Sequence, residues 1–211
     1  MAEQRDKNTK QRFSEEALML FAEKGYEAVS VAQIAEAVGC SAPALYKHYG
    51  GKRELLDTII EEGEKRFALI MLQNNMNLEN EETREHVLNM GIDERVERIK
   101  EIIKSALHDK FARAFRKMCA VEQFHMPELA RSYTRRYFEF QTNQYQILFE
   151  LLMKQGRLKE ADPRTLAISF FSFPLIALEI CDREPDREEE MMELIEKHTR
   201  EFIGIYSVAE R

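Results

Sequence analysis

Apolar residues recur along this chain at intervals of three and four, the period of a helix buried on one side. Phe13, Ala17, Leu20 and Phe21 fall at i, i+4, i+7 and i+8 and predict a helix that Gly25 ends. Ile34, Ala35 and Val38 mark a second, short helix. Ser30 and Gln33 stand at capping-box spacing before it, and Gly39 supplies the left-handed residue that stops it. Ser41 as a second N-cap and Pro43 in the following turn open a third helix, from Ala42 to about Tyr49. Leu55, Leu56, Ile59, Ile60, Phe67, Ile70 and Met71 describe a longer amphipathic helix with Gly63 as its weak point. Residues 74–90 turn polar and read as a loop or a short extra helix. Further helices are predicted over Asp93–Leu107, from Asp109 to about His125, and from Pro127 through Tyr133, Tyr137, Phe140, Leu148 and Leu152 to a stop at Gly156. No stretch alternates as a strand does. The fold class is all-α: an N-terminal three-helix, helix-turn-helix head at 9–52 and a C-terminal helical body at 53–211.

The last two helices differ in kind. Leu166 to Cys181 is apolar almost all round, whereas an outer helix of a monomer shows one apolar stripe. A membrane crossing is disfavoured, because the run is shorter than roughly 18 residues and contains Glu179 and Pro174. The better reading is a helix covered on one side by its own subunit and on the other by a second copy. Glu188–Tyr206, with Leu194 and Phe202 on its apolar face, completes the seam. Ile168, Phe171, Leu175, Ile176, Leu194 and Phe202 are the expected interface of a homodimer, and Ala177→Arg or Ile176→Asp is expected to break it.

The segment from Gly39 to Leu56 holds an aliphatic residue and Tyr46, then Lys47, His48 and Tyr49, followed by Lys52. This run resembles the recognition-helix signature of the TetR family of bacterial transcriptional regulators. The resemblance covers about residues 9–60. Cys40 stands where Val is usual, and Gly51 where Ser, Asp or Asn usually caps the next helix. The resemblance implies that Tyr46, His48 and Lys52 hold the DNA backbone, and that two C-terminal helices per subunit form a four-helix dimer bundle. Lys52 and Tyr46 are expected on an exposed, phosphate-facing side where their loss leaves the fold intact.

From the residues themselves, Lys52 suits a phosphate, as do Ser30 and the amides of its helix N-terminus. Ser41 and Tyr49 complete the expected DNA-binding set. The first turn of the recognition helix, Ala42, Pro43 and Ala44, offers only carbon to a base edge, so thymine methyls are its direct readout. Lys47, onto a guanine, is the candidate for polar readout, and specificity leans on dimer spacing and DNA shape. Leu45 points inward.

Charge sharpens this division. Residues 1–53 carry eight Lys or Arg against seven Asp or Glu, a balance of +1, and the remainder carries 23 against 31, or −8. An acidic body is repelled by phosphate, so the head must make the contact with double-stranded DNA.

Glu122 and His125 form an i, i+3 carboxylate and imidazole pair, a spacing that di-iron bundles use twice and that occurs here once, so no metal is assigned. The resemblance places effector pockets between the middle helices. Phe115, Met118, Glu122, His125 and Tyr145 are therefore the expected lining for a small, mainly apolar organic effector, with Glu122 favouring cations. Periodicity alone reads Phe111, Phe115, Met118 and Cys119 as core more readily than as lining. No phosphate-binding glycine loop, nucleophile elbow or paired acid/base carboxylates occur, so neither an enzyme nor a cofactor is expected. The three cysteines lack metal spacing and suit a reducing cytoplasm, and the polar N-terminus is unlike a signal peptide. The sequence thus reads as a repressor released from its operator by an effector. The alternative is a helical ligand- or metal-binding protein whose head no longer binds DNA.

Overall fold

The computed structural model describes residues 2–73 and 77–208, with side chains from Asn8 onward. Among the described residues there are helices and no strands, apart from an isolated bridge between Leu158 and Ser207. The helices are α1 (Ala2–Lys24), α2 (Val31–Val38), α3 (Ala42–Tyr46), α4 (Lys52–Gln73), α5 (Glu81–Asn89), α6 (Ile92–His108), α7 (Lys110–Glu122), α8 (Pro127–Tyr133), α9 (Gln141–Lys154), α10 (Pro163–Arg183) and α11 (Glu188–Tyr206). The polar stretch after α4 holds α5, begun by the Asn80 side chain accepting from the Thr83 amide; Asn74, Asn75 and Met76 lie outside the described residues. The long helix expected from Pro127 to Gly156 is instead α8, a π-helical segment at Thr134–Phe140, and α9. α3 is shorter than expected, with Lys47 as its C-cap.

The chain forms two compact units. Met1–Phe67 with Asp109–Tyr133 make the first, and Ala68–His108 with Thr134–Arg211 the second. The first unit is thus larger than the 9–52 head, because α7 and α8 pack with the head helices. Its core joins Phe13, Leu18 and Phe21 of α1, Ile34 of α2 and Leu45 of α3 to Phe115 and Met118 of α7 and Leu129 of α8. Gly63 of α4 is explained by this core. A Cβ there would lie 2.7 Å from the Phe115 ring, so the residue that weakens the helix by propensity is the one that lets α7 approach.

In the second unit α10 packs on α9 and α11, and α6 packs on both α10 and α11. α10 is longer than its apolar run: 21 residues, capped by Asp162 onto the Thr165 amide, and by length and composition sufficient to cross a membrane. Leu166, Ala167, Phe170, Phe171, Ala177 and Leu178 are buried within the unit, which is how a helix this apolar is accommodated in a bundle.

Candidate nucleic-acid interface and ligand cavity

The helix-turn-helix is built from local bonds. Ser30 lies in extended backbone, its hydroxyl accepts from the Gln33 amide, and the Gln33 side chain accepts from the Ser30 amide, which closes the expected capping box. Gly39 ends α2 in the left-handed region, where its amide returns to Ala35 and Glu36 carbonyls. The Arg12 guanidinium donates to the Val38 carbonyl at 2.7 Å and so covers the same helix end from α1. Ser41 has N-cap backbone geometry but makes no side-chain cap bond. Where Gly51 offers no cap for α4, Glu54 reaches back to the Gly50 amide at 2.6 Å.

These caps decide which of the expected DNA-contacting side chains remain exposed. Tyr46 is 57% exposed, and the Lys47 side chain is exposed with no hydrogen bond or ion pair among the described residues. Ser41 and Pro43 are exposed beside them, with Ala42 and Ala44 half-buried. Ser30 is exposed, although its hydroxyl is engaged by Gln33. His48 is half-buried, its ring 5.8 Å from that of Phe13. Two expected residues are placed differently. Tyr49 is buried, and its hydroxyl donates to the Lys10 carbonyl at 2.9 Å; burial pushes its pKa up to about 12, with Glu62 adding to the shift. It is a core residue, since the turn after α3 aims its ring inward. Lys52 donates to the carbonyls of Tyr26 and Val29 at 2.8 and 3.1 Å, and its ammonium lies 4.2 Å from the centre of the Tyr26 ring. It ties the loop between α1 and α2 to α4, so it is not the dispensable surface cation the sequence suggested.

The expected effector residues are separated. Phe115 and Met118 are fully buried in the core of the first unit. Glu122 is buried, accepts from the Tyr26 amide at 2.6 Å, and lies 3.1 Å from where a Cβ on Gly25 would stand. It therefore caps the turn at Gly25, whose φ of 83° needs glycine, and does not line the cavity of the second unit. His125 is exposed just beyond the end of α7.

Only Tyr145 of that set lines the cavity of the second unit. This space of about 280 Å³ is walled by Tyr145, Phe149, Phe170 and Phe202, with ring centres 4.8 to 6.0 Å apart. Arg95, Arg98 and Arg157 supply its charge. Burial depresses the pKa of Arg95, with Arg157 and Arg98 adding repulsion, and burial likewise depresses Arg98. Tyr145 is pushed up to about 12 by burial, against a downward pull from Arg98 and Arg95. Arg95 was readable from the sequence: it precedes Ile99 by four positions and so stands on the apolar stripe of α6, where a cation is out of place.

Of the expected dimer residues, Ile176 is 52% and Leu194 38% exposed, and Ile168 and Leu175 are half-buried. Phe171 and Phe202 are buried within the subunit, and Phe202 lines the cavity. Ala177 is fully buried, so an arginine there reports on folding rather than assembly.

The described residues thus hold a capped helix-turn-helix with an exposed edge at α3, and a helical bundle that encloses a cavity. Residues 14–59 match the model of the bacterial regulatory proteins of the tetR family. The match spans α1 from Ser14, α2, α3 and the start of α4. It is 35% identical over 69 residues to the HTH-type transcriptional repressor AcnR of Corynebacterium glutamicum, a match covering 33% of this chain and 37% of that protein. The chain thus spans little more than a third of the length of the curated relatives it matches. Similar solved structures include a TetR-family transcriptional regulator from Mesorhizobium loti, with a TM-score of 0.68 at 18% identity over 97% of this chain and 99% of that one. A transcriptional regulator from Saccharomonospora viridis in complex with choline has a TM-score of 0.66 at 17% identity, covering 96% of this chain and all of that one (100%). At these identities the two structures establish the fold.

Proposed function

We propose that this chain is a dimeric cytoplasmic repressor that binds an operator through Ser41, Pro43, Tyr46 and Lys47 and releases it when a small molecule fills the cavity of the second unit. The exposed Tyr46–Lys47 edge carries the reading. Ordinary packing leaves these two side chains without an intramolecular role among the described residues, and Ser41 beside them makes no side-chain cap bond. A repressor is also what the relative in Corynebacterium glutamicum is named, and a bound small molecule is what the Saccharomonospora viridis structure holds. Two heads on a two-fold dimer would enter successive major grooves about one helical turn apart. The unburied Ile176 and Leu194 are the apolar surface available for that dimer. Effector control requires only that the ligand bind the operator-free form more tightly, and a coupling of about 1.4 kcal/mol already changes DNA affinity tenfold.

The test is retention of a DNA fragment from upstream of the chain's own gene, with Tyr46→Ala and Lys47→Ala compared with the parent. Both are expected to weaken binding by roughly tenfold at physiological salt while thermal unfolding stays unchanged. Parent-like binding by both variants would remove the proposed edge from the DNA.

A further inference from the structure

We infer that the cavity of the second unit selects an organic anion: a carboxylic acid of about eight carbons, its apolar body against the aromatic wall and its charge among the arginines. The inference builds on the effector-controlled reading above and names its ligand class.

The lining carries the argument. In a chain with 38 Asp and Glu against 31 Lys and Arg, this cavity is lined by three arginines and by no Asp, Glu, Lys or His. Arg95 and Arg157 converge, since both donate to the Leu88 carbonyl, at 3.2 and 2.6 Å. Among the described residues neither of these two is within ion-pairing distance of a carboxylate. The Leu88 carbonyl shared between two guanidiniums, with a 3.5 Å contact from Arg157 to the Gln155 side-chain oxygen, leaves most of their donors in the forks that match a carboxylate bidentately. Burial and mutual repulsion disfavour charge on Arg95, and an incoming anion offsets both at once. Thr199 also belongs to the lining, with its hydroxyl buried and without a hydrogen-bond partner among the described residues. Arg157 and Ile92 are exposed and mark the rim, whereas Phe149, Phe170 and Phe202 are buried, so charge lies toward the mouth and the apolar wall within. Size follows from the volume. At roughly 30 Å³ for a water-sized group, about nine such groups fit, which suits an eight-carbon acid. The earlier expectation of a cation-favouring pocket rested on Glu122, which is occupied by the Tyr26 amide.

The experiment is isothermal titration of the full chain, without DNA, using octanoate, octan-1-ol and octyltrimethylammonium. Octanoate is expected to bind at least about tenfold more tightly than either of the others. Arg157→Gln, at the exposed rim, and Arg95→Gln should each weaken octanoate by about tenfold or more and change octan-1-ol by less than about threefold. Arg157→Gln alone decides the matter where Arg95→Gln impairs folding, as judged by thermal unfolding. Equal or tighter binding of the alcohol or the ammonium, absence of octanoate binding at millimolar concentration, or parent-like octanoate affinity in Arg157→Gln would overturn the anion assignment. DNA retention measured in parallel separates this from the regulatory reading: octanoate that binds and leaves retention unchanged upholds the anion site and removes its role as an effector site.

Discussion

Replacing Lys52 distinguishes a structural strut from a phosphate anchor. Lys52→Met keeps the packing of the stem and removes the ammonium. The loss comprises two charge-assisted bonds, to Tyr26 and Val29, and the contact with the Tyr26 ring. A hydrogen bond from a charged group contributes about 1.5–3 kcal/mol when buried. Both carbonyls are partly solvated, and water replaces the ammonium in part, so about half of the lower figure survives for each. A partly exposed cation–π contact adds about 0.5 kcal/mol, for a total of about 2 kcal/mol. In a chain of this length that corresponds to a fall in Tm of roughly 4–8 °C, read by circular dichroism. DNA binding is measured separately, as the slope of log affinity against log salt on folded protein. The strut accounts for the stability loss alone. A remaining ammonium N–H on phosphate, which the family resemblance implies, adds a slope decrease of about one unit. An unchanged Tm in Lys52→Met would refute the strut, whatever the slope does.

Gly63→Ala gains about 1 kcal/mol of helix propensity but drives a Cβ to within 2.7 Å of the fully buried Phe115 ring, and overpacking costs about 1–3 kcal/mol. Net destabilisation is expected in urea titration, relieved in the Gly63→Ala, Phe115→Leu pair; a stabilised single variant would mean the ring yields freely. Ile176→Asp is expected to shift sedimentation from dimer to monomer at low micromolar concentration, with helicity unchanged, and a persistent dimer would place the interface elsewhere. Tyr49 ionises near 10 in the unfolded chain and at about 12 when folded. The folded state therefore holds this proton more tightly, and the stability it confers is intact below pH 10 and lost as pH rises to 12. Tyr49→Phe should flatten that part of the stability–pH curve, and an unaltered slope would assign the alkaline loss to other groups.

What was legible in the sequence follows the range over which each interaction acts. Ser30 with Gln33, and Gly39 after Val38, are closed within a few residues, so their chemistry is complete in the local string and the structure reproduces it. The bounds of α11, Glu188–Tyr206, were readable too, whereas α10 begins three residues before the apolar run from Leu166 and ends two after Cys181. Phe115 and Met118 were correctly recognised as apolar stripe residues, yet helical period states that a face is buried without stating what buries it. Their partners are Phe13 and Leu18, about a hundred positions away, so the choice between core and pocket was beyond the pattern.

The same distinction governs charge. Lys52 and Arg12 look like surface groups in sequence and Glu122 like a pocket group, because the carbonyl or amide that engages them lies 26, 26 and 96 residues distant. All three bind backbone at a helix end or in the loop between α1 and α2, and backbone leaves no mark in a sequence. Arg95 is the exception, since its position on an apolar stripe is itself a local contradiction. A cation placed where a leucine belongs must either find a partner inside the fold or await one from outside, and the only hydrogen bond it makes among the described residues is to a neutral carbonyl. The anion assignment thus depends on the one charged residue whose oddity was visible before the fold was known.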